Sequence, residues 1–300
     1  MMDDLPFDQV RTLLAAVDEG TFEAAARALH VTPSAVSQRI KALEQRVGRV
    51  LLQRAKPIRL TDSGEVVARF GRQLALLAQD ARAELGLPED GRPNVLPVAV
   101  NADSLATWFL TTLTRVPEHL QVCFALRRED QDHTTDLLRE GLVLAAVTST
   151  PEPVQGCSVR PLGRMRYQAM ASPAFIRRWL TGGPLTELLP QAPVVVFDGK
   201  DDLQHRFARD LTRREPSSRQ HLVPASDIFL AAVLRGLGWG MIPDVQGDEQ
   251  AANGLLVALA PEHPVDVPLY WQQWKLDSPP LSALADAVVR TAAEHLTPLP

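Results

Sequence analysis

From the N-terminus onward, apolar residues recur at helical spacing. Phe7, Val10, Leu13, Leu14 and Val17 fall on one face of a first helix. Thr21 then stands where a cap is needed, and Glu23 sits at the positive end of the next helix dipole. Ala24, Ala25 and Ala26 let another helix approach closely, and Leu29 closes the buried face. His30-Val31 makes a short turn, and Thr32-Pro33 pairs a cap residue with proline at the first helical position, where a missing N–H costs nothing. Val36, Ile40, Leu43 and Val47 follow at spacings of four, three and four, which predicts a helix with one buried side. After Gly48, Val50-Leu51-Leu52 and Ile58-Arg59-Leu60 flank a basic turn containing Pro57, the pattern of a small β-hairpin or wing. The three helices and the wing compose an all-α winged helix-turn-helix over residues 1–61.

Residues 62–87 read as one long helix. Asp62 and Glu65 have the spacing of a capping box with Asp in the cap role, and Val67, Phe70, Leu74, Leu77 and Ala81 form a seam suited to pairing with a second copy. The seam is shorter than three heptads, so packing on its own chain stays open. Leu87 to Asn94 is polar, with proline and glycine, and reads as a hinge.

Beyond it, strand and helix patterns alternate. Val95–Val100, Leu120–Leu126 and Leu142–Val147 read as strands, with helices at Ser104–Leu113 and Thr134–Glu140 between them, a βαβαβ series with parallel pairing. A second series runs through Pro193–Phe197, Asp201–Arg213, His221–Val223, Asp227–Arg235 and Trp239–Ile242. Pro268–Trp274 and the helix Leu281–His295 return to the first lobe. The expectation for residues 93–300 is a two-lobed α/β domain with a cleft, like a periplasmic binding protein: lobe 1 over about 93–164 and 270–300, lobe 2 over about 165–269.

Charge changes the picture only when taken locally. The chain carries a net charge of −5, which by itself argues against nucleic acid. Gly20 to Leu60, however, holds eight bases against two acids, a net of +6, which leaves −11 on the rest. A basic module on an acidic body is attracted locally to phosphate. Ser34, Ser37, Gln38 and Lys41 face away from the apolar stripe, where short hydroxyl and amide groups suit base edges, while Arg39, Lys41 and Arg46 suit phosphates. The alternative is a solvated basic face.

In the second domain, ligands belong at the carboxyl ends of strands. Asn101-Ala102-Asp103-Ser104 and Thr148-Ser149-Thr150 lie at two such ends and suit an anion such as an α-carboxylate. Opposite lie Phe197-Asp198-Gly199-Lys200-Asp201-Asp202 and, at another helix start, Asp227. Each Asp at a helix start also serves as a cap, least so Asp198, since two later carboxylates already serve that helix. Trp108 either lines the pocket or fills the core.

Other chemistry finds no support. The seven histidines show no metal-binding spacing, and Cys123 and Cys157 are too few for a disulfide framework, which fits a reducing compartment. Gly236-Leu237-Gly238-Trp239-Gly240 follows a helix and enters a strand, the reverse of a dinucleotide fingerprint. No nucleophile elbow appears, so no enzyme, cofactor or metal is expected. No leader pattern or long apolar span occurs, which leads to an expectation of a cytoplasmic protein.

The stretch "TFEAAARALHVTPSAVSQRIKALEQRVGRVLLQR" followed by "IRLTDSG" resembles the winged helix-turn-helix of LysR-type transcriptional regulators. The resemblance implies that Thr32, Pro33, Ser34, Ser37 and Gln38 face bases. It makes the wing residues Arg54 and Arg59 phosphate contacts and residues 62–87 a pairing helix; Lys41 and Lys56 join the expected DNA-binding residues as neighbouring cations. Leu52 stands where the family usually has an aromatic residue, a change expected to alter packing. "VNADSLATWF", "APVVVFDGKDDLQ" and "LYW" are similar to the lysine- and arginine-sensing ArgP and LysG branch, which typically controls an exporter of basic amino acids. That similarity implies a basic amino acid held by its carboxylate near Ser104 and the Thr148–Thr150 turn, with Trp108 nearby and one or more of Asp103, Asp198 and Asp227 on its cations. It also implies promoter DNA, a second copy in a homodimer or tetramer, and RNA polymerase as partners. Two other classes compete: a transporter's solute-binding component, which has no use for a DNA-reading head, and a nucleoid-type or replication-associated DNA-binding protein with little response to amino acids.

Overall fold

The computed structural model describes residues 5–53, 55–85, 94–128 and 134–299. The hinge expected at 87–94 lies almost wholly outside them. The chain begins with α1 (Phe7–Asp18), α2 (Phe22–Ala28), α3 (Pro33–Val47) and the two-stranded wing β1 (Leu52–Gln53) and β2 (Arg59–Leu60). Val10, Leu13 and Ala16 of α1 pack with Ala25, Ala26, Val36, Ile40 and Leu43 in one core. Caps set the helix starts as expected. Thr21 Oγ1 accepts from the Ala24 N–H at 3.1 Å and Thr32 Oγ1 from the Ala35 N–H at 3.2 Å, each worth about 1 kcal/mol. The wing pairs Leu52 with Leu60 and Gln53 with Arg59, antiparallel. Glu44 of α3 ties it down, its Oε1 accepting from the Leu51 N–H at 2.8 Å. Leu52 is buried in the same core, so the aliphatic side chain keeps a packing role.

The long helix α4 (Asp62–Glu84) differs from expectation at its first turn and on its seam. Its cap is Thr61, not Asp62: Thr61 Oγ1 accepts from the Gly64 N–H at 3.1 Å and donates to the Val50 carbonyl at 2.7 Å. A threonine one residue earlier competes for the cap position and wins because it also anchors the wing. Val67, placed on the pairing seam by spacing, points into the head's core, while Val66, Phe70 and Leu77 are exposed. Gly71 lets α4 cross α1, since a Cβ there would lie 2.4 Å from Val10.

The second domain comprises β3 (Asn94–Val100), α5 (Ala102–Thr107), α6 (Phe109–Leu113), β4 (Val122–Arg128), α7 (Thr134–Arg139), β5 (Ala145–Thr148) and β6 (Cys157–Ala171). After these come α8 (Pro173–Trp179), α9 (Leu185–Leu188), β7 (Val194–Val196), α10 (Leu203–Thr212), β8 (Gln220–Leu222), α11 (Ser226–Leu234), β9 (Gly240–Pro243), α12 (Asp244–Ala252), β10 (Val257–Ala258), β11 (Val265–Trp274) and α13 (Pro279–His295). In the first lobe, β3 pairs in parallel with β4 and with β5. In the second, β7 pairs in parallel with β8. The two long strands β6 and β11 run antiparallel across both lobes, with a register shift between Leu269 and Tyr270 opposite Pro161 and Gly163. At its far end β6 pairs with β9 and β10, and β11 pairs with β5. One sheet is thereby continuous between the lobes, and its strand ends open on a shared cleft.

The head is tied to the second domain through α4. Leu76 is buried in the second domain's core. Arg72 Nη2 donates to Asp18 of α1 at 2.9 Å, and Arg72 Nη1 donates to the Glu140 carbonyl beyond α7 at 3.0 Å. Arg69 lies 5.2 Å over the Trp274 ring. Gly141, at φ 67°, allows this approach, because a Cβ there would meet the Arg69 Cα at 2.8 Å.

Candidate functional site

On the head, helix α3 presents one polar edge. Thr32, Pro33, Ser34, Gln38 and Lys41 are exposed, Ser37 is half-buried, and Lys56 and Arg59 of the wing are exposed beside it. Thr32 has part of its hydroxyl capacity committed, since it caps α3 and shares a 2.9 Å hydrogen bond with Ser34. Arg54 lies outside the described residues. A capped helix end with hydroxyls and an amide, next to a wing bearing two cations, has the chemistry that suits base edges in a major groove and the flanking phosphates.

The second site is a cavity of about 560 Å³ between the lobes, within the range for small-molecule pockets. Asp103, in the first turn of α5, is its centre. Tyr167 of β6 donates its hydroxyl to Asp103 Oδ2 at 2.7 Å, and Ser226, at the start of α11, donates to Oδ1 at 2.6 Å. The Ser226 contact bridges lobe 1 and lobe 2, and Gln246 of α12 reaches the same hydroxyl at 3.5 Å. Burial pushes the Asp103 carboxyl above the usual carboxylate range, although both hydroxyl donors pull it down. Burial likewise raises Tyr167, and the adjacent Asp103 charge raises it further.

A second carboxylate stands across the cleft. Asp201 Oδ2 accepts from the Phe197 N–H at 3.0 Å and Oδ1 from the Leu203 N–H at 3.1 Å, so it folds the loop from β7 into α10. Burial raises its pKa despite these donors, and the Asp103 charge adds to the rise. Asp198 also lines the cavity, and its Oδ1 accepts from the Lys200 and Asp201 N–H groups. Among the described residues, no basic side chain forms an ion pair with Asp103 or Asp201. The Asp266 carboxylate differs, since Arg164 and Arg166 pair with it at 2.8 Å and Arg166 above all holds its pKa low. Arg128 and Ser149 line the lobe 1 side.

The cleft's lining departs from the sequence expectation in specific places. Asp103 and Asp198 line it. Ser104, on α5, is fully buried, and Thr148 is buried with its hydroxyl turned to the Thr150 carbonyl at 3.1 Å; of that turn, Ser149 is the residue that lines the cavity. Trp108 is 0% exposed and packs edge-on to Phe109 in the core. Asp227 is exposed on α11, one residue beyond Ser226, which faces the cleft in its place. Tyr167, Asp201, Ser226 and Arg128 escaped sequence reasoning. Asp201 alone had a signal, as one of the three carboxylates clustered before α10. Among the described residues, no group of three or more metal-binding side chains occurs, and no helix is long and apolar enough to cross a membrane. Cys123 is exposed and Cys157 is buried, its thiol pushed up to about 12 by desolvation.

A winged reading head, a long connecting helix and a two-lobed cleft define a one-chain DNA-binding transcription regulator. Comparison with known proteins makes the class specific. The model of the bacterial regulatory helix-turn-helix protein, LysR family, matches residues 7–65, and that of the LysR substrate binding domain matches residues 92–293. The chain belongs to the LysR family of transcriptional regulators, whose members are regulators and not enzymes. It is 43% identical over 296 residues to the lysine export transcriptional regulatory protein LysG of Corynebacterium glutamicum, covering 97% of this chain and 99% of the relative. The crystal structure of ArgP from Mycobacterium tuberculosis superposes with a TM-score of 0.90 at 43% identity, covering 99% of this chain and all of the other. Full-length LysG from Corynebacterium glutamicum with bound effector Arg superposes with a TM-score of 0.81 at 42% identity, covering 98% of this chain and all of that one.

Proposed function

We propose that this chain regulates transcription in response to a basic amino acid, lysine or arginine, bound between the lobes, and that its target is an exporter gene for such amino acids. The observation that carries the reading is that two half-buried carboxylates, Asp103 and Asp201, face one cleft with raised pKa values and no described cation paired to either. Two carboxylates partly withdrawn from water in one cleft are costly unless an opposite charge joins them. An amino acid with a cationic side chain supplies two positive groups and one carboxylate. Its ammonium groups fit the Asp103, Asp198 and Asp201 side, and its carboxylate fits Arg128 and Ser149. The Arg-bound LysG of Corynebacterium glutamicum and the lysine export name of that relative support the same ligand class and target. Exposed Val66, Phe70 and Leu77 on α4 give a second copy a face to pair with, which sets two heads on one operator. Ligand alters DNA occupancy because the lobe arrangement it binds more tightly becomes the populated one.

Titration calorimetry on the full chain tests this, with lysine, arginine and leucine as ligands. Lysine or arginine should bind, leucine should not, and Asp103→Asn should abolish binding. Equal binding of leucine would reject the charge-pairing reading and favour a sensor of apolar amino acids. DNA binding that ignores all three ligands would favour a nucleoid-type protein.

A further inference from the structure

Between Gly20 and Leu60 the chain carries only two carboxylates, and one of them, Glu44, sits on α3, whose polar edge the head exposes. A negative charge there opposes the approach of phosphate. The bonds that Glu44 makes give the reason for its place. It is half-buried, and it both ends α3 and starts the wing. Its backbone carbonyl accepts from the Gly48 N–H at 2.8 Å and the Arg49 N–H at 3.2 Å. Its side-chain Oε1 accepts from the Leu51 N–H at 2.8 Å and the Leu52 N–H at 3.4 Å. The start of the long helix grips the same three residues. The Leu51 carbonyl accepts from the Thr61 N–H at 3.0 Å, and the Val50 carbonyl from the Thr61 hydroxyl at 2.7 Å. Gly64 permits this approach, since a Cβ there would lie 2.0 Å from the Leu51 carbonyl oxygen. The wing root, Val50 to Leu52, is thereby clamped between α3 and α4, and Glu44 supplies the grip from α3.

The wing's cations are placed from that root, because Leu52 pairs with Leu60 and Gln53 with Arg59 across the hairpin. We infer that Glu44 is a positioning residue for DNA binding: its carboxylate fixes the wing root against α3, so that Arg59 meets phosphate in register with the polar edge of that helix. A carboxylate accepting from backbone N–H groups makes charge-assisted bonds, stronger than those of a neutral acceptor. Alignment of the wing offsets the repulsion that the same charge brings. This role presupposes that the wing holds phosphates, and it adds which side chain aims the wing.

The test is a double-mutant cycle on the full chain, with a mixed-sequence DNA duplex as probe, since phosphate contacts carry no sequence information. Arg59→Ala in the parent should weaken binding about tenfold and lower the slope of log affinity on log salt by about one unit. Glu44→Met, similar in size and helix-compatible but unable to accept, should cause a similar loss by itself. Adding Arg59→Ala to it should then cost little more, because the wing is already out of register. Glu44→Gln, whose amide oxygen accepts at the same place, should restore both the affinity and the Arg59 effect. Equal Arg59 penalties in the parent and in Glu44→Met would overturn the proposal. Tighter binding by both Glu44 variants would overturn it as well and leave Glu44 as a repelling charge alone. Loss of the folded head in Glu44→Met, seen by thermal melting, with a normal Glu44→Gln protein would assign the carboxylate to the head's stability and overturn the aiming role. A parent whose affinity does not depend on Arg59 would overturn the phosphate reading of the wing, and the role of Glu44 with it.

Discussion

Asp103 shows how a carboxylate lining a cleft opposes the stability of its own fold. Its pKa is raised by burial, so the folded chain holds that proton more tightly than the unfolded chain does. The favourable contribution is fully present below the ordinary carboxylate pKa of 3.8 and is lost as pH rises through the raised value. Ligand-free Asp103→Asn should therefore melt at a higher temperature than the parent at neutral pH. The difference should shrink as pH is lowered toward the ordinary carboxylate range. Thermal denaturation between acid and neutral pH checks this; a lower melting temperature at neutral pH would show that the anion is stabilising where it stands. Asp103 itself was legible in the sequence, from a strand end followed by a helix start. Its partners were not, since Tyr167 and Ser226 lie 64 and 123 residues away and neither neighbourhood carries a spacing that marks it. Asp227 stands out in the sequence over Ser226 because charge is visible there and the phase of a helix against a cleft is not.

Among the elements, we propose that α3 reads bases and the wing holds phosphates. Ser37→Ala on α3 should relax base preference while largely preserving total affinity, because on this proposal it removes a group that reads base edges. Arg59→Ala on the wing should weaken all sequences alike and reduce the dependence of log affinity on log salt by about one unit. Binding isotherms on operator and scrambled duplexes at several salt concentrations measure both, and an Arg59→Ala protein that loses specificity without losing salt dependence would reverse the assignment. The head's elements were the most legible part of the chain, since α1 and α3 carry helical periodicity and α2 and α3 carry side-chain caps. Strand β6 was not legible. Its fifteen residues carry Arg160, Arg164 and Arg166 with Pro161 and Gly163 among them, which breaks a strand pattern. Two of those arginines are neutralised by Asp266 on β11, a pairing visible only once the strands lie side by side.

For the whole molecule, the question is how cleft and head communicate. The lobes share β6 and β11, so a change in lobe closure bends one continuous pair of strands. Arg72 connects lobe 1 to the head through the Glu140 carbonyl and Asp18. Arg72→Ala should leave lysine affinity measured without DNA unchanged and reduce the effect of lysine on operator affinity. Coupling is reciprocal, so the variant should equally lose the effect of operator DNA on lysine affinity. Undiminished coupling would place communication elsewhere. This arrangement was only partly legible: alternating strands and helices gave the two lobes, but nothing local in the chain announces that α4 lies against α7 and Trp274.

Gly141 gives that docking a mechanical character. Gly141 lies against the Arg69 Cα and the first carbons of its side chain, so any displacement of lobe 1 at this joint would press directly on the long helix that carries the head.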